Sequence, residues 1–165
     1  MPVHVFNVGD VLAAADVNNW LAPIAGVKSA NQVINSTTTF VNDADMRFSV
    51  AANSLYEFHV YLRYSTPNGA DWKSSFTVPA GASAHFARYA NDSGGTFGGN
   101  GDFADTDTPV SQGAGVGNIR TINFFGWLSV GSTAGNLIYQ WAQNTTGAFN
   151  TVLYQNSYLT GRRIG

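Results

Sequence analysis

The sequence contains no cysteine and only two lysines, Lys28 and Lys73, and its charged residues amount to 11% of 165 positions. Without cysteine there is no disulfide framework, thiolate metal centre or thiol nucleophile, so packing and association must supply the stability. A formal net charge of -2 offers no basic field for phosphates, which argues against nucleic acid as a partner. No run approaches the roughly 20 apolar residues needed to cross a bilayer. The opening Met1-Pro2-Val3-His4 lacks the basic start and apolar stretch of a secretory signal, so we expect a chain made and kept in a cytosol. Charge at under half the usual share of about 25% leaves the surface to amides and hydroxyls, which cost less to desolvate than ions. Such a surface suits contact with protein.

Signatures of catalysis are also missing. The sequence has no Gly-x-Ser-x-Gly elbow, no phosphate-binding glycine loop and no His-Glu-x-x-His helix, so we expect no enzyme and no cofactor. The three histidines, His4, His59 and His85, are too scattered to form a recognised ligand spacing, and no metal site is expected. Asp92, Asp102, Asp105 and Asp107 could together offer oxygen ligands to calcium. Their spacing matches no ordered calcium loop, and aspartate is also a common turn residue.

What is present is β-rich. Hydrophobic residues make up 44% and aromatics 13%, with 18 glycines, enough for one compact domain with a short appendage. The appendage is residues 1–28. Asp10-Val11-Leu12-Ala13-Ala14-Ala15-Asp16-Val17-Asn18-Asn19-Trp20-Leu21 carries the clearest helical signal, with Asp10 or Asp16 starting the helix and Pro23 ending it. A helix this short needs a surface to dock on. From residue 29 onward about eight short runs alternate apolar and polar side chains between Gly, Asn, Asp and Pro turns, the pattern of an antiparallel sandwich or jelly roll.

In the clearest run, Tyr56, Phe58, Val60, Leu62 and Tyr64 share one face while Glu57, His59 and Arg63 share the other. Trp72, Ser74, Phe76 and Val78 alternate in the next. A later run, 118–129, is apolar on both faces at its end: Ile122, Phe124 and Leu128, with Val130 next to it, form one face, and Ile119, Phe125 and Trp127 the other. A strand of that kind is covered on both sides, and one cover could be a neighbouring subunit. The glycine-rich stretch 91–117 reads as a long exposed loop. Tyr89, Phe97, Asp102 and Phe103, in or beside it, could form a binding surface for glycans, although Phe97 and Phe103 also suit the simpler task of pinning the loop.

The segment Phe6-Asn7-Val8-Gly9-Asp10-Val11-Leu12-Ala13-Ala14-Ala15-Asp16-Val17-Asn18 resembles the attachment segment at the front of many bacteriophage tail, fibre and head-decoration proteins. The remainder is similar to trimeric jelly-roll domains of phages, particularly those of actinobacteria. That likeness runs through Phe48-Ser49-Val50-Ala51-Ala52-Asn53-Ser54-Leu55-Tyr56-Glu57-Phe58, Phe76-Thr77-Val78-Pro79-Ala80-Gly81 and Gln140-Trp141-Ala142-Gln143-Asn144-Thr145. It implies an eight-stranded, tumour-necrosis-factor-like jelly roll over 29–165 that joins as a homotrimer through Ile119, Phe125 and Trp127. It also implies an arm, 1–28, whose Phe6, Val11, Leu12, Val17, Trp20 and Leu21 touch other virion proteins. The implied role is structural, on the virion surface, as a capsid decoration. A minor tail protein or receptor-binding knob touching host glycans is the alternative, and a free carbohydrate-binding module a second.

Overall fold

The computed structural model describes residues 23–91 and 96–165, together with the single positions 9 and 11. The expected helix, and Phe6, Leu12, Val17, Trp20 and Leu21 of the arm, lie outside the described residues, whereas Val11 is exposed. Twelve strands follow in chain order: β1 (Ile24–Val27), β2 (Gln32–Ile34), β3 (Val41–Val50), β4 (Leu55–Ser65), β5 (Trp72–Thr77) and β6 (Ser83–Asn91), then β7 (Phe97–Ala104), β8 (Val110–Ser111), β9 (Arg120–Ser129), β10 (Gly135–Gln143), β11 (Thr151–Leu153) and β12 (Tyr158–Arg163).

All pair antiparallel. The larger sheet runs β1-β12-β4-β9-β6-β7, with β11 beside β4 and β2 beside β11, and the smaller runs β3-β10-β5-β8. Eight of these strands form a jelly roll. Leaving aside the β6–β7 hairpin and the β2–β11 pair, the remaining strands join first to last (β1–β12), second to seventh (β3–β10), third to sixth (β4–β9) and fourth to fifth (β5–β8). That nesting is what a long four-pair hairpin produces when it rolls up on itself. The expected eight strands are therefore present, and four more are added to the edges of the larger sheet.

Two boundaries differ from the sequence reading. Residues 24–27, expected in the arm, are the edge strand β1, bonded to β12 from Ile24 opposite Gly161 to Val27 opposite Tyr158. The expected loop 91–117 contains β7 and β8, because β6 supplies a ladder from His85 opposite Ala104 to Asn91 opposite Phe97. That ladder orders a stretch whose glycines would not form a strand alone.

Period-two alternation places the core between the sheets. Tyr56, Phe58, Val60, Leu62 and Tyr64 of β4, with Ile122, Phe124 and Leu128 of β9, face Trp72 and Phe76 of β5 and Leu137, Tyr139 and Trp141 of β10, all buried. Phe58 meets Phe76 across the sheets at 5.2 Å between ring centroids, and Phe76 meets Phe124 edge-on at 5.8 Å. Trp72 and Trp141 stack at 4.5 Å with planes 4° apart. Trp72 Nε1 donates to the Tyr139 hydroxyl at 3.0 Å, which is 2.8 Å from Ser74 Oγ, whereas Trp141 Nε1 has no hydrogen-bond partner among the described residues. Gly161 is held by packing: a β-carbon there would overlap the Phe48 ring, which must shift before β12 accepts a larger residue where the two sheets close.

Candidate interaction face

Inward alternation on the larger sheet dictates what its other face presents. Residues 57, 59, 61 and 63 of β4, 121, 123, 125 and 127 of β9, 85, 87 and 89 of β6, and 158, 160 and 162 of β12 all point away from the core. The registers align them into rows. Arg162, Glu57, Trp127 and His85 form one row, Thr160, His59, Phe125 and Ala87 the next, and Tyr158, Tyr61, Asn123 and Tyr89 a third.

Aromatic rings dominate these rows. His59 lies flat on Phe125 at 4.3 Å with planes 6° apart. Tyr158 meets His59 edge-on at 5.6 Å and stacks beside Tyr61 at 5.6 Å. Tyr89 stands edge-on to Phe125 at 5.6 Å, and His85 stacks on Trp127 at 4.8 Å. Yet Phe125 remains 48% exposed, Tyr89 44% and Trp127 42%. Contiguous exposed rings of this kind mark contact surfaces on monomers.

The polar groups on the face are largely consumed within it. Arg162 pairs with Glu57 at 2.8 Å, His59 Nε2 lies 3.1 Å from Asn123 Oδ1, and His85 Nδ1 lies 2.9 Å from Asp102 Oδ1. The face is therefore close to neutral, with apolar rings exposed between satisfied polar groups. A hollow of about 520 Å³, lined by Pro23, Glu57, His59, Phe125, Thr160 and Arg162 among others, opens on it.

The sequence-derived candidates separate on this framework. Phe125 and Trp127 sit two positions apart on β9, on the exposed face. Ile119 is 47% exposed but precedes β9, at the sheet end away from Trp127. Tyr89 belongs to β6 and joins the face. Phe103 of β7 packs inward on Phe86 at 5.8 Å, as a pin for its own segment. Asp102 holds His85, and the side chain of Phe97 lies outside the described ones. Asp105 accepts the Ala84 amide at 2.9 Å and Asp107 the Ala104 amide at 2.8 Å. These carboxylates are spread over separate donors, and among the described residues no three His, Asp or Glu side chains gather as metal ligands. Sequence reasoning did not place His59, Tyr61, His85 and Tyr158 on one face with Phe125. The alternation within β4 and β12 gave their direction, but only the β4–β9 and β4–β12 registers bring them together.

No protein-family model and no curated protein matches the chain. Among solved structures it is similar to one of the infectious bursal disease virus Gx strain, at 13% identity over 99% of this chain and 45% of that one, with a TM-score of 0.19. It is also similar to the crystal structure of the infectious bursal disease virus VP2 subviral particle, at 11% identity over 100% of this chain and 46% of that one, with a TM-score of 0.21. The chain spans less than half the length of either, and overlap at this level decides nothing about its role.

Proposed function

We propose that this chain is a non-catalytic structural protein of a bacteriophage particle, a homotrimer that decorates the capsid surface and is held there by the residues preceding β1. The aromatic face of the larger sheet carries the reading. A face with exposed Phe125, Trp127 and Tyr89 and internally paired Glu57 and Arg162 is best completed by an apolar, uncharged partner surface. A second copy of the chain offers one, with exposed rings to insert and the hollow beside Phe125 to receive them. Cyclic repetition of such a contact closes a ring without a self-matching patch. The virion assignment rests on the resemblance of residues 6–18 to phage attachment segments.

Light scattering coupled to gel filtration tests the assembly: a mass near three times 17.6 kDa supports it, and a monomer at micromolar concentration refutes it. Electron cryomicroscopy of particles, with and without residues 1–22 of this chain, tests the location. Loss of density from the capsid shell in the truncated form is expected, and density on the tail would sink the decoration role. The tail-knob reading has one observation in its favour. Val116, Ile119 and Phe149 are exposed at the end of the sheets opposite Pro23, where a receptor would be met. Serine at all three positions would abolish host adsorption in that case and leave it intact in ours.

A further inference from the structure

Beyond the face lies a buried cation between two carboxylates. Lys28, immediately after β1, keeps 6% of its side-chain surface, and Asp43 of β3 keeps none. Lys28 Nζ stands 3.0 Å from Asp43 Oδ2 and 3.7 Å from Asp45 Oδ2, and it donates to Gln32 Oε1 at 2.7 Å. Asp43 is turned inward by an irregularity of β3. Ile138 and Gln140 of β10 are two residues apart but pair with Arg47 and Asn42, which are five apart, so 43–46 bulge out of the ladder. Bulges re-aim side chains in this way.

The two oxygens of Asp43 are treated differently. Oδ1 accepts the amides of Asp45 and Met46, each at 2.9 Å. Oδ2 has no hydrogen-bond partner among the described residues, so its 3.0 Å contact with Nζ lacks hydrogen-bond angles. Two amides on one oxygen and Nζ against the other bring together the groups that an amide-forming condensation needs: an amine, a carboxyl group and donors for the charge on its second oxygen. Asp45 is held by Ser29, whose amide and hydroxyl reach its Oδ2 at 3.0 and 2.9 Å. These bonds, with the nearby Lys28, keep it below the ordinary carboxylate range, so it stays ionised and can carry a proton only in passing, from Nζ to the departing oxygen.

We propose that Lys28 and Asp43 condense into an intramolecular isopeptide bond that joins the end of β1 to the bulge of β3. One proton passes from Nζ to Oδ2, leaving a neutral amine and acid with no change in net charge. The amine then attacks Cγ, and the two amides hold the negative charge that develops on Oδ1. Asp45 takes a second proton from Nζ and returns it to the Oδ2 hydroxyl, which leaves as water. An N–C bond forms, a C–O bond breaks and nothing is oxidised or reduced. Burial keeps water away from the product. In a chain without disulfides, the bond would tie the four-residue strand that follows the arm to the body.

Intact-mass spectrometry of the folded, then denatured, protein tests this once its N-terminus has been verified. The expected mass is one water, about 18 Da, below that of the sequence, and proteolysis should release a branched peptide joining Lys28 to Asp43. Full sequence mass after prolonged incubation of folded protein overturns the proposal. So does an equal loss of water in Lys28→Arg, which would place the dehydration elsewhere, as in an aspartyl succinimide. Asp45→Asn, with its fold verified by circular dichroism, should slow the loss; an unchanged rate removes Asp45 from the reaction and overturns the mechanism as written.

Discussion

Replacing Trp127 by serine tests the assembly through a magnitude the structure supplies. The ring leaves 42% of its surface exposed, which for a tryptophan of about 250 Å² is roughly 100 Å². If a neighbouring copy covers it, the contribution is about 2.5 kcal/mol at each contact, or nearly a hundredfold in affinity. Three equivalent contacts in a closed ring give about 7 kcal/mol, so the trimer dissociation constant should rise by roughly five orders of magnitude. Within one subunit the substitution also removes the stack of His85 on Trp127, a loss of about 1 kcal/mol that leaves the fold intact. Sedimentation velocity over a wide concentration range should show parent trimers persisting where the variant is monomeric. The matching control is Ile138→Ser, on the outer face of the smaller sheet. A Trp127→Ser protein with the parent's mass distribution, or an Ile138→Ser protein that dissociates equally, would refute the placement of the interface.

Three further outcomes are expected. Tyr139→Phe removes the hydroxyl that serves Trp72 Nε1 and Ser74 Oγ; it should cost about 1–2 kcal/mol and lower the melting temperature by a few degrees, and an unchanged calorimetric midpoint would contradict that network. Gly161→Ala drives a β-carbon into the Phe48 ring and should destabilise by about 2 kcal/mol or more, read from urea unfolding, with Phe48→Leu in the same chain restoring part of the loss. In alkali, burial raises the Tyr64 hydroxyl to about 12, and burial also raises Tyr139. A folded value above the unfolded one means that the stability from Tyr64 is complete below about pH 10 and is lost as pH rises through about 12. Ultraviolet titration should therefore show exposed tyrosines ionising first and Tyr64 only as the fold gives way; Tyr64 ionising near 10 in intact protein would break this account.

The fold class was legible because burial imposes a two-residue period. Tyr56 to Tyr64 and Ile122 to Leu128 alternate as their strands do, and the direction of each side chain follows from that alone. β7 was not legible. Its Gly98, Gly99 and Gly101 argue against a strand locally, and only hydrogen bonds from β6 overrule them. β1 was hidden for a similar reason: four residues after a proline carry too little pattern, and their order comes from β12 and β3. At the candidate face, Phe125 and Trp127 stood out as apolar residues on the side of a strand opposite its core positions. His59, Tyr158 and Tyr89 reach that face from other strands, through registers that depend on pairings far apart in the chain. Nothing in the sequence showed that β3 would bulge to turn Asp43 inward against Lys28.

The arrangement of the tryptophans has a practical consequence. Trp72 and Trp141, parallel and in contact inside the smaller sheet, should couple their electronic transitions and produce a paired band in circular dichroism. That band reports side-chain packing and disappears with it. Trp127, on the exposed face, should instead be open to iodide quenching until another surface covers it. With Trp20 changed to phenylalanine, one unlabelled sample would give two independent optical signals, one for folding and one for assembly, so that each could be timed against the other.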